Sequence, residues 1–340
     1  MESLVTTLEE IAYFIERAGQ SPYKYKAFRS AAQVVQEVGE KEIKTRSQNN
    51  TLQQLPKIGN TIAKTITEIL TTQNSSYLED LKSAPLPLAL KFPEMSYKLF
   101  HKLKGDCHSH SDWSDGTTSI EKMALAAKNL GHKYIVISDH SPSLTIANGL
   151  NTKRLLSQLD VIADLNKKLS PFVILTGIEV DILPDGSLDQ DNEILERLDI
   201  VVASVHSKLK MDRSEMTKRM VKAISNPHVD ILGHCTGRKI TKQKPRPQSD
   251  FDAEVVFMAC KNFETAVEIN SRIERRDPPL ELLNIVKQFD CLVSIDTDAH
   301  APGQLEWQVY GCEQAYEAEI DFSKVVNSWN IDKLRAWTTS

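Results

Sequence analysis

Cysteines are few in this sequence, and none of them are spaced as pairs. The 340 residues include 5 cysteines, an odd number, and no Cys-x-x-Cys motif. Secreted domains held by disulfides usually have an even number of cysteines, so a disulfide framework is not expected and a reduced cytoplasmic setting is favoured. Cys107 and Cys235 each adjoin a histidine, and we expect both to pack in the core rather than coordinate a metal.

Long hydrophobic runs and a basic leader are also missing. No apolar run approaches the roughly 20 residues that a membrane-spanning helix needs. Residues 1–10 contain glutamates and no lysine or arginine, unlike the start of a signal peptide. We therefore expect a cytoplasmic protein with no membrane partner, and the sequence leaves the oligomeric state open.

The chain carries no long basic stripe. Its formal net charge is −5 at pH 7. Residues 1–100 hold 12 Lys and Arg against 11 Asp and Glu, a balance of +1, which leaves 29 against 35, or −6, for residues 101–340. Because bound cations would neutralise part of this acidity, net charge alone does not decide the substrate.

Short β-branched apolar runs alternate with amphipathic helical stretches in the C-terminal two-thirds. The runs are residues 134–138, 173–178, 200–205, 229–233 and 291–295. This alternation predicts the parallel strands of an α/β fold. In such folds ligands gather at the carboxyl ends of the strands. Polar residues that follow the runs should therefore meet on one rim.

Histidines and carboxylates stand at or near the ends of these runs. The set consists of His108, His110, Asp115, His140, Glu179, His206, His234, Asp298 and His300. Imidazole and carboxylate together suit zinc, manganese or iron, so the set predicts a multi-metal hydrolase. His101, His132 and His228 have no carboxylate partner at a strand end, and we expect them to be ordinary hydrogen-bonding groups.

The first 82 residues are helical in pattern. Apolar residues recur at helical spacing in residues 4–18, 23–38 and 61–71, which predicts a small all-α domain. Residues 83–103 contain several prolines and are predicted to be a connector. The remaining residues, 104–340, would then form the metal domain.

A turn with a glycine at its tip precedes the third of these helices. Such a turn, leading into a helix whose N-terminal amides point outward, can hold a DNA phosphate. The candidate contacts are Lys57, Gly59, Thr61 and Lys64. The alternative is a helical bundle used only for packing, because glycine serves many tight turns.

Several motifs together resemble those of the polymerase and histidinol phosphatase (PHP) domain. They are GDCHSHSDWSDG (105–116), ISDH (137–140), ANGL (147–150), GIEVDILPDG (177–186), ASVHS (203–207), GHCTGR (233–238), EIN (268–270) and TDAH (297–300). The likeness covers about residues 104–340. It is nearest to the PHP domain of bacterial family-X DNA polymerases, and the N-terminal region resembles their helix-hairpin-helix domain.

The resemblance implies a distorted (β/α)7 TIM-like barrel that binds three divalent metal ions, manganese, zinc or iron. It implies one metal on His108, His110, Glu179 and Asp298, with Glu179 bridging to a second metal on His206 and His234. The third metal would be held by Asp115, His140 and His300. Arg238, Lys208 and Arg275 would neutralise the remaining oxygens of a phosphate-ester substrate.

Parts of the family pattern are missing. In the resembling polymerases a fingers, palm and thumb core separates the two regions, whereas only about twenty residues separate them here. We therefore expect no DNA synthesis. The lysine that serves lyase chemistry in the family corresponds to Thr65, and Lys64 points about 100° away around the helix. Because a Schiff base needs an amine, lyase activity is not expected. Lys57 also replaces a usual glycine of the hairpin.

The sequence is compatible with three functions. The first is a DNA-directed 3′-5′ exonuclease or abasic-site endonuclease, with DNA bound through the N-terminal domain. The second is a small-molecule phosphomonoesterase of the histidinol-phosphatase type, which the acidic balance favours. The third is a catalytically silent DNA-binding protein, against which the complete ligand set argues.

Overall fold

The computed structural model of the chain describes residues 2–87, 94–241 and 245–338. Its contacts divide into two compact units, Met1–Leu90 with Pro302–Gln304, and Lys91–Ala301 with Leu305–Ser340. The middle of the predicted connector, residues 88–93, lies outside the described residues. No helix of the described part of the chain is both long and apolar enough to cross a membrane.

The N-terminal unit is built from helices. They are α1 (Glu2–Arg17), α2 (Pro22–Val38), α3 (Glu40–Gln48), α4 (Asn60–Thr72) and α5 (Ser76–Ser83). The apolar faces of these helices supply one buried core, which includes Leu8, Ile11, Val35 and Ile66. Burial of such a side chain contributes about 1.5–3 kcal/mol, so packing rather than intrinsic propensity stabilises this unit.

Helices α3 and α5 were not predicted by the apolar pattern, and α3 is the more polar of the two. Its sequence is polar, and only Ile43 and Ser47 are buried. Two ion pairs one turn apart, Lys44–Glu40 and Arg46–Glu42, each 2.6 Å long, lie on its surface. Pairs of this kind add only about 0.3–0.5 kcal/mol each, so the contact of Ile43 with the core does most to fix the helix.

The second unit alternates helices and strands. Its strands are β1 (Tyr134–Ile137), β2 (Val173–Asp181), β3 (Ile200–Ser204), β4 (Ile231–Leu232), β5 (Ala266–Asn270) and β6 (Val293–Asp296). Its helices are α6 (Glu94–Phe100), α7 (Ile120–Asn129), α8 (Thr152–Leu169), α9 (Asn192–Leu195), α10 (Arg213–Ile224), α11 (Ala253–Asn262), α12 (Leu280–Gln288), α13 (Gln308–Glu317) and α14 (Ile331–Thr338).

The strands form one parallel sheet in sequence order, β1 to β6. The register pairs Tyr134 with Val173, Glu179 with Val202, and Asn270 with Asp296. Almost every strand residue is buried, as expected when helices cover a parallel sheet. The predicted parallel α/β fold is confirmed, and the carboxyl ends of the strands all face the same rim.

An irregular segment takes the place of a seventh strand. Residues 104–110 run alongside β1, where the amide of Val136 donates to the carbonyl of Asp106 at 2.8 Å and that of Ser138 donates to Ser109 at 2.8 Å. On its other side the segment meets the end of β6 through a parallel bridge between Ser109 and Ala299. The sheet therefore curls so that β1 and β6 flank the same segment.

Candidate metal centre

The nine residues predicted as metal ligands lie together at the carboxyl rim of the sheet. Glu179 is within β2, and His140, His206, His234, Asp298 and His300 follow the ends of other strands. His108 and His110 belong to the segment between β1 and β6, and Asp115 lies in the loop after it. The parallel strands thus bring together residues that are far apart in the chain, as the sequence pattern predicted.

Glu179 occupies the middle of this group. Its Oε1 atom lies 2.9 Å from Nε2 of His234 and 3.1 Å from Nε2 of His206. Its Oε2 atom lies 2.8 Å from Nδ1 of His140 and 3.3 Å from Nε2 of His108. Each oxygen of one carboxylate therefore faces a different set of imidazoles, an arrangement suited to bridging two cations.

The side of the group near β6 is formed by two carboxylates and their histidines. Oδ1 of Asp298 lies 3.4 Å from Nε2 of His110, and Oδ1 of Asp115 lies 3.3 Å from Nε2 of His300. Asp115 also lies 3.6 Å from Nε2 of His140. Asp115 is the most exposed carboxylate of the set, so this side is the more open to solvent.

Among the described residues, three groups of side chains are close enough to hold an ion. One is His110, Asp115, His140 and His300, the second is His108, His110 and Glu179, and the third is His140, Glu179 and His206. The groups share His110, His140 and Glu179. The division of ligands among three metals that the resemblance implies therefore stays a prediction, because the geometry shares residues between neighbouring groups.

Several buried polar atoms here lie close to one another, but no described residue gives them a hydrogen bond of ordinary geometry. They include Nε2 of His108, both ring nitrogens of His110, Nε2 of His206 and Oε2 of Glu179. A buried unpartnered polar group costs about 1–3 kcal/mol, and a cluster of them is rare in folded proteins. Divalent cations would satisfy these atoms, so the donor set fits the metals that the sequence predicts.

The electrostatics of Glu179 and Asp298 favour their ionised forms. Burial alone would raise the pKa of Glu179, but the neighbouring histidines, chiefly His108 and His206, hold it well below its ordinary value. Burial is likewise outweighed at Asp298, where Arg272 holds the pKa well below the usual range. Both carboxylates are therefore negative and ready to accept a cation.

Glu268 lies behind the predicted ligands, although the sequence analysis named it only as part of a motif and gave it no role. It is fully buried in β5, and its Oε1 atom lies 2.6 Å from Nδ1 of His108. Its Oε2 atom accepts a hydrogen bond from the amide of His234. A carboxylate behind a histidine fixes the ring so that the opposite nitrogen faces the metal. A glutamate inside an apolar strand was the signal that could have revealed this role.

Two further carboxylates hold neighbouring segments. Oδ1 of Asp181 accepts the amide of His206 at 3.1 Å and lies 3.5 Å from Nδ1 of the same residue. Asp139 accepts the amide of Ser111 at 2.8 Å and the side-chain amide of Gln158 at 2.7 Å. Asp139 thereby positions the start of the loop that carries Asp115. These contacts hold the candidate ligands in place.

The backbone at Asp298 is held in an uncommon conformation. Its φ angle is +52°, in the left-handed region that costs a non-glycine residue about 1–2 kcal/mol. The guanidinium of Arg272 donates to the carbonyl of Asp298 at 2.9 Å and lies 2.9 Å from Nδ1 of His300. Arg272 thus fixes both residues at the end of β6.

The three predicted phosphate contacts differ in placement. Nε of Arg275 lies 3.2 Å from Oδ2 of Asp298, directly against the centre. Nε of Arg238 donates to the carbonyl of Arg275 at 2.9 Å, so part of its guanidinium supports the backbone. Lys208 is exposed in the loop after β3. A role for each in phosphate binding stays a prediction.

The remaining histidines and cysteines lie outside the group. His101 is exposed, and His228 is partly buried beyond the rim. Burial lowers the pKa of His132 to about 4, so this ring is neutral. The five cysteines are all buried as free thiols, and burial raises the pKa of both Cys107 and Cys235 well above the ordinary value. Packing is thus the role that their environment favours.

Comparison with known proteins agrees with this geometry. Residues 106–271 match the PHP domain, and residues 2–75 match a helix-hairpin-helix domain. A probable phosphatase of Thermoanaerobacter sp. (strain X514) is 32% identical over 210 residues, covering 58% of this chain and 80% of that protein. The chain belongs to the PHP family. With this centre, it is a metal-dependent hydrolase of phosphoester bonds.

Other relatives differ in how much of them the chain covers. The DNA polymerase/3′-5′ exonuclease PolX of Bacillus subtilis (strain 168) is 37% identical over 69% of this chain, but the chain spans only 41% of that protein. A probable phosphatase of Caldicellulosiruptor bescii is 26% identical over 68% of this chain and 95% of that protein. A solved histidinol phosphate phosphatase of Lactococcus lactis superposes with a TM-score of 0.48 at 18% identity, covering 64% of this chain and 94% of that one.

The helix-hairpin-helix turn differs from the sequence expectation at its glycine. Gly59 has a φ of −82° and an extended backbone conformation, which any residue can adopt. A Cβ atom added at Gly59 would have no neighbour within 4 Å. Lys57 instead takes the left-handed conformation, with a φ of +63°. The turn therefore does not need Gly59 for its backbone, and Lys57 occupies the conformation that glycine prefers.

The predicted DNA contacts are all exposed. The four residues at the start of α4 lie on the surface: Lys57, Gly59, Thr61 and Lys64. The N-cap residue of α4 is Gly59, so no N-cap side chain accepts a hydrogen bond from the first amides of the helix. Thr65 is 5% exposed, and its hydroxyl donates to the carbonyl of Thr61 at 3.0 Å. The position that carries the lyase lysine in the resembling family is thus a buried threonine here.

Proposed function

We propose that this protein is a DNA-directed phosphodiesterase, a 3′-5′ exonuclease or abasic-site endonuclease that does not synthesise DNA. The observation that carries the proposal is the exposed turn at the start of α4. The metal centre alone would serve any phosphate ester, whereas Lys57, Lys64 and free helix amides suit a nucleic-acid backbone. A phosphomonoesterase of small molecules has no need of such a surface.

The nine clustered residues would hold the metal ions, manganese, zinc or iron. When bound, divalent ions stabilise charge on phosphate oxygens and make water a nucleophile near neutral pH. Glu268 and Asp181 keep the rings of His108 and His206 turned toward the centre. Arg275 lies beside Asp298, where its guanidinium would bind an oxygen of the substrate phosphate.

A small-molecule phosphomonoesterase is the second candidate. The phosphatase relatives support it, since the chain covers 80% and 95% of two of them. The acidic balance of the C-terminal region is also compatible with a substrate that carries a single phosphate. The two candidates share the metal centre and differ in the need for the N-terminal unit.

One assay separates the candidates. The purified chain with manganese is offered a 5′-labelled oligonucleotide and histidinol phosphate in parallel. Faster turnover of the oligonucleotide, with loss of both activities in His110→Ala and retention in His101→Ala, supports the proposal. Turnover of histidinol phosphate with an intact oligonucleotide would instead establish the phosphomonoesterase.

A further inference from the structure

A short hairpin stem follows β4 at the rim of the metal centre. The amide of Lys239 donates to the carbonyl of Arg246 at 2.8 Å, and the amide of Arg246 donates back to Lys239 at 2.9 Å. Nε of Arg246 also donates to the carbonyl of Gly237 at 2.6 Å. These bonds fix the backbones of Lys239 and Arg246 side by side, one on each strand of the stem.

The hairpin stem is docked on the loop that follows β5. The amide of Ile240 donates to the carbonyl of Glu274 at 2.8 Å, and Arg238 donates to the carbonyl of Arg275. That same loop contacts the centre, because Arg272 and Arg275 lie 3.4 Å and 3.2 Å from the carboxylate of Asp298. Lys239 and Arg246 therefore belong to a segment that packs on the loop whose arginines contact Asp298.

Carboxylates near the hairpin stem offset its positive charge only in part. Glu274 raises the pKa of Lys239 and Asp277 raises that of Arg246, but burial and the neighbouring arginines outweigh them. Among the described residues, no carboxylate forms an ion pair with Lys239 or Arg246. Burial, followed by the charges of Arg275, Arg246 and Arg272, lowers the pKa of Lys239, so several guanidinium groups lie near its ammonium group. Holding like charges together is unfavourable, and an anion bound between them would relieve the repulsion.

We propose that Lys239 and Arg246 bind the phosphate that neighbours the scissile phosphate along a nucleic-acid strand. The inference rests on the proposed function and deepens it, since it names consecutive phosphates as the feature that the rim recognises. Arg275 and the metal centre would hold the reacting phosphate, while the hairpin stem holds the adjacent one. A substrate with a single phosphate makes no use of the stem.

The test removes one charge and compares two substrates. The substrates are a single-stranded oligothymidylate and thymidine 5′-monophosphate p-nitrophenyl ester, which has one phosphate, both with manganese. Lys239→Gln is the main variant, because Lys239 is at the surface with its side chain only partly covered, and the change breaks no ion pair among the described residues. Lys239→Arg keeps the charge, and Lys168→Gln removes an exposed lysine near the end of α8. Circular dichroism checks that every variant is folded.

We expect Lys239→Gln to raise KM for the oligonucleotide about fivefold at ~0.1 M salt. One single-strand phosphate contact contributes about 0.7 to log K at that concentration, relative to ~1 M salt, through counterion release. The slope of log KM against log salt should fall by about 0.7. The single-phosphate ester should be hydrolysed as by the wild type, and Lys239→Arg and Lys168→Gln should leave both substrates unaffected.

The outcomes separate this inference from the function on which it rests. An oligonucleotide left intact by the wild-type protein, with turnover of the ester, overturns the proposed function and the inference with it. Cleavage of the oligonucleotide by the wild type with an unchanged salt slope in Lys239→Gln overturns the inference alone. An equal loss on both substrates does the same, since Lys239 would then act on the reacting phosphate.

Discussion

The metal centre and the helix-hairpin-helix turn hold their functional residues in opposite ways. At the centre, His108 is buried and backed by Glu268, and Asp298 is fixed by Arg272. At the turn, Lys57 and Lys64 are exposed and form no ion pair among the described residues. Bond cleavage needs atoms at fixed positions, whereas contacts to a phosphate backbone position the substrate with adaptable side chains.

The contrast predicts that changes at the centre abolish chemistry on every substrate. In Asp298→Ala we expect hydrolysis of both oligonucleotide and p-nitrophenyl ester to fall by more than about 100-fold, because even residues behind metal ligands cost 10–100-fold. The strand core is unchanged, so far-ultraviolet circular dichroism should be nearly that of the wild type. His228→Ala is the matched control, and near-wild-type turnover in Asp298→Ala would remove this residue from the centre.

A change behind the ligands should have a smaller effect at the same centre. Glu268→Gln keeps the shape of the side chain but removes the charge that faces Nδ1 of His108. We expect about 10–100-fold weaker metal binding and a similar loss of activity. Titration with manganese measures the first and steady-state kinetics the second. If excess manganese does not restore any activity and metal affinity is unchanged, Glu268 does not act through His108.

Changes at the turn should affect DNA alone. The double variant Lys57→Gln/Lys64→Gln removes two exposed charges, and we expect the salt slope of oligonucleotide binding to fall by about 1.4. KM should rise with little change in kcat, while the p-nitrophenyl ester is hydrolysed normally. Lys41→Gln, on α3, is the control. Identical salt series for the variant and the wild type would exclude the turn from DNA binding.

The smallest effect concerns stability. Lys57→Gly should raise the free energy of unfolding by about 0.5–1 kcal/mol, because glycine adopts the left-handed conformation without the penalty that a side chain carries. Lys57→Ala should give no such gain, since alanine also has a Cβ. Chemical denaturation of both variants measures the difference. Equal stability in the two would show that the φ of +63° carries no strain.

The sequence predicted the sheet and the rim but not the interactions behind it. Alternation of apolar runs located five strands, although β2 continues to Asp181, so Glu179 lies inside the strand rather than after it. The strand that holds Glu268 was not among those runs. The spacing of apolar residues indicates which face of a strand or helix is buried. It does not indicate which carboxylate lies behind which histidine, because those contacts join distant segments of the chain.

Loop geometry was the other part that pattern could not supply. Arg238 follows His234 closely in sequence, yet its guanidinium supports the carbonyl of Arg275. A glycine-tipped turn suggests that Gly59 takes the left-handed conformation, but Lys57 takes it and Gly59 is extended. Side-chain direction in a loop depends on a few backbone angles that hydrophobic spacing does not encode.

Metal content tests the central claim most directly. Elemental analysis of the gently purified chain should find about two to three equivalents of manganese, zinc or iron, as expected for a multi-metal hydrolase. The same measurement on Asp298→Ala and His110→Ala should show a loss of bound metal, and His101→Ala should match the wild type. Less than about one equivalent in the wild type, together with hydrolysis that does not respond to added metal, would contradict the account.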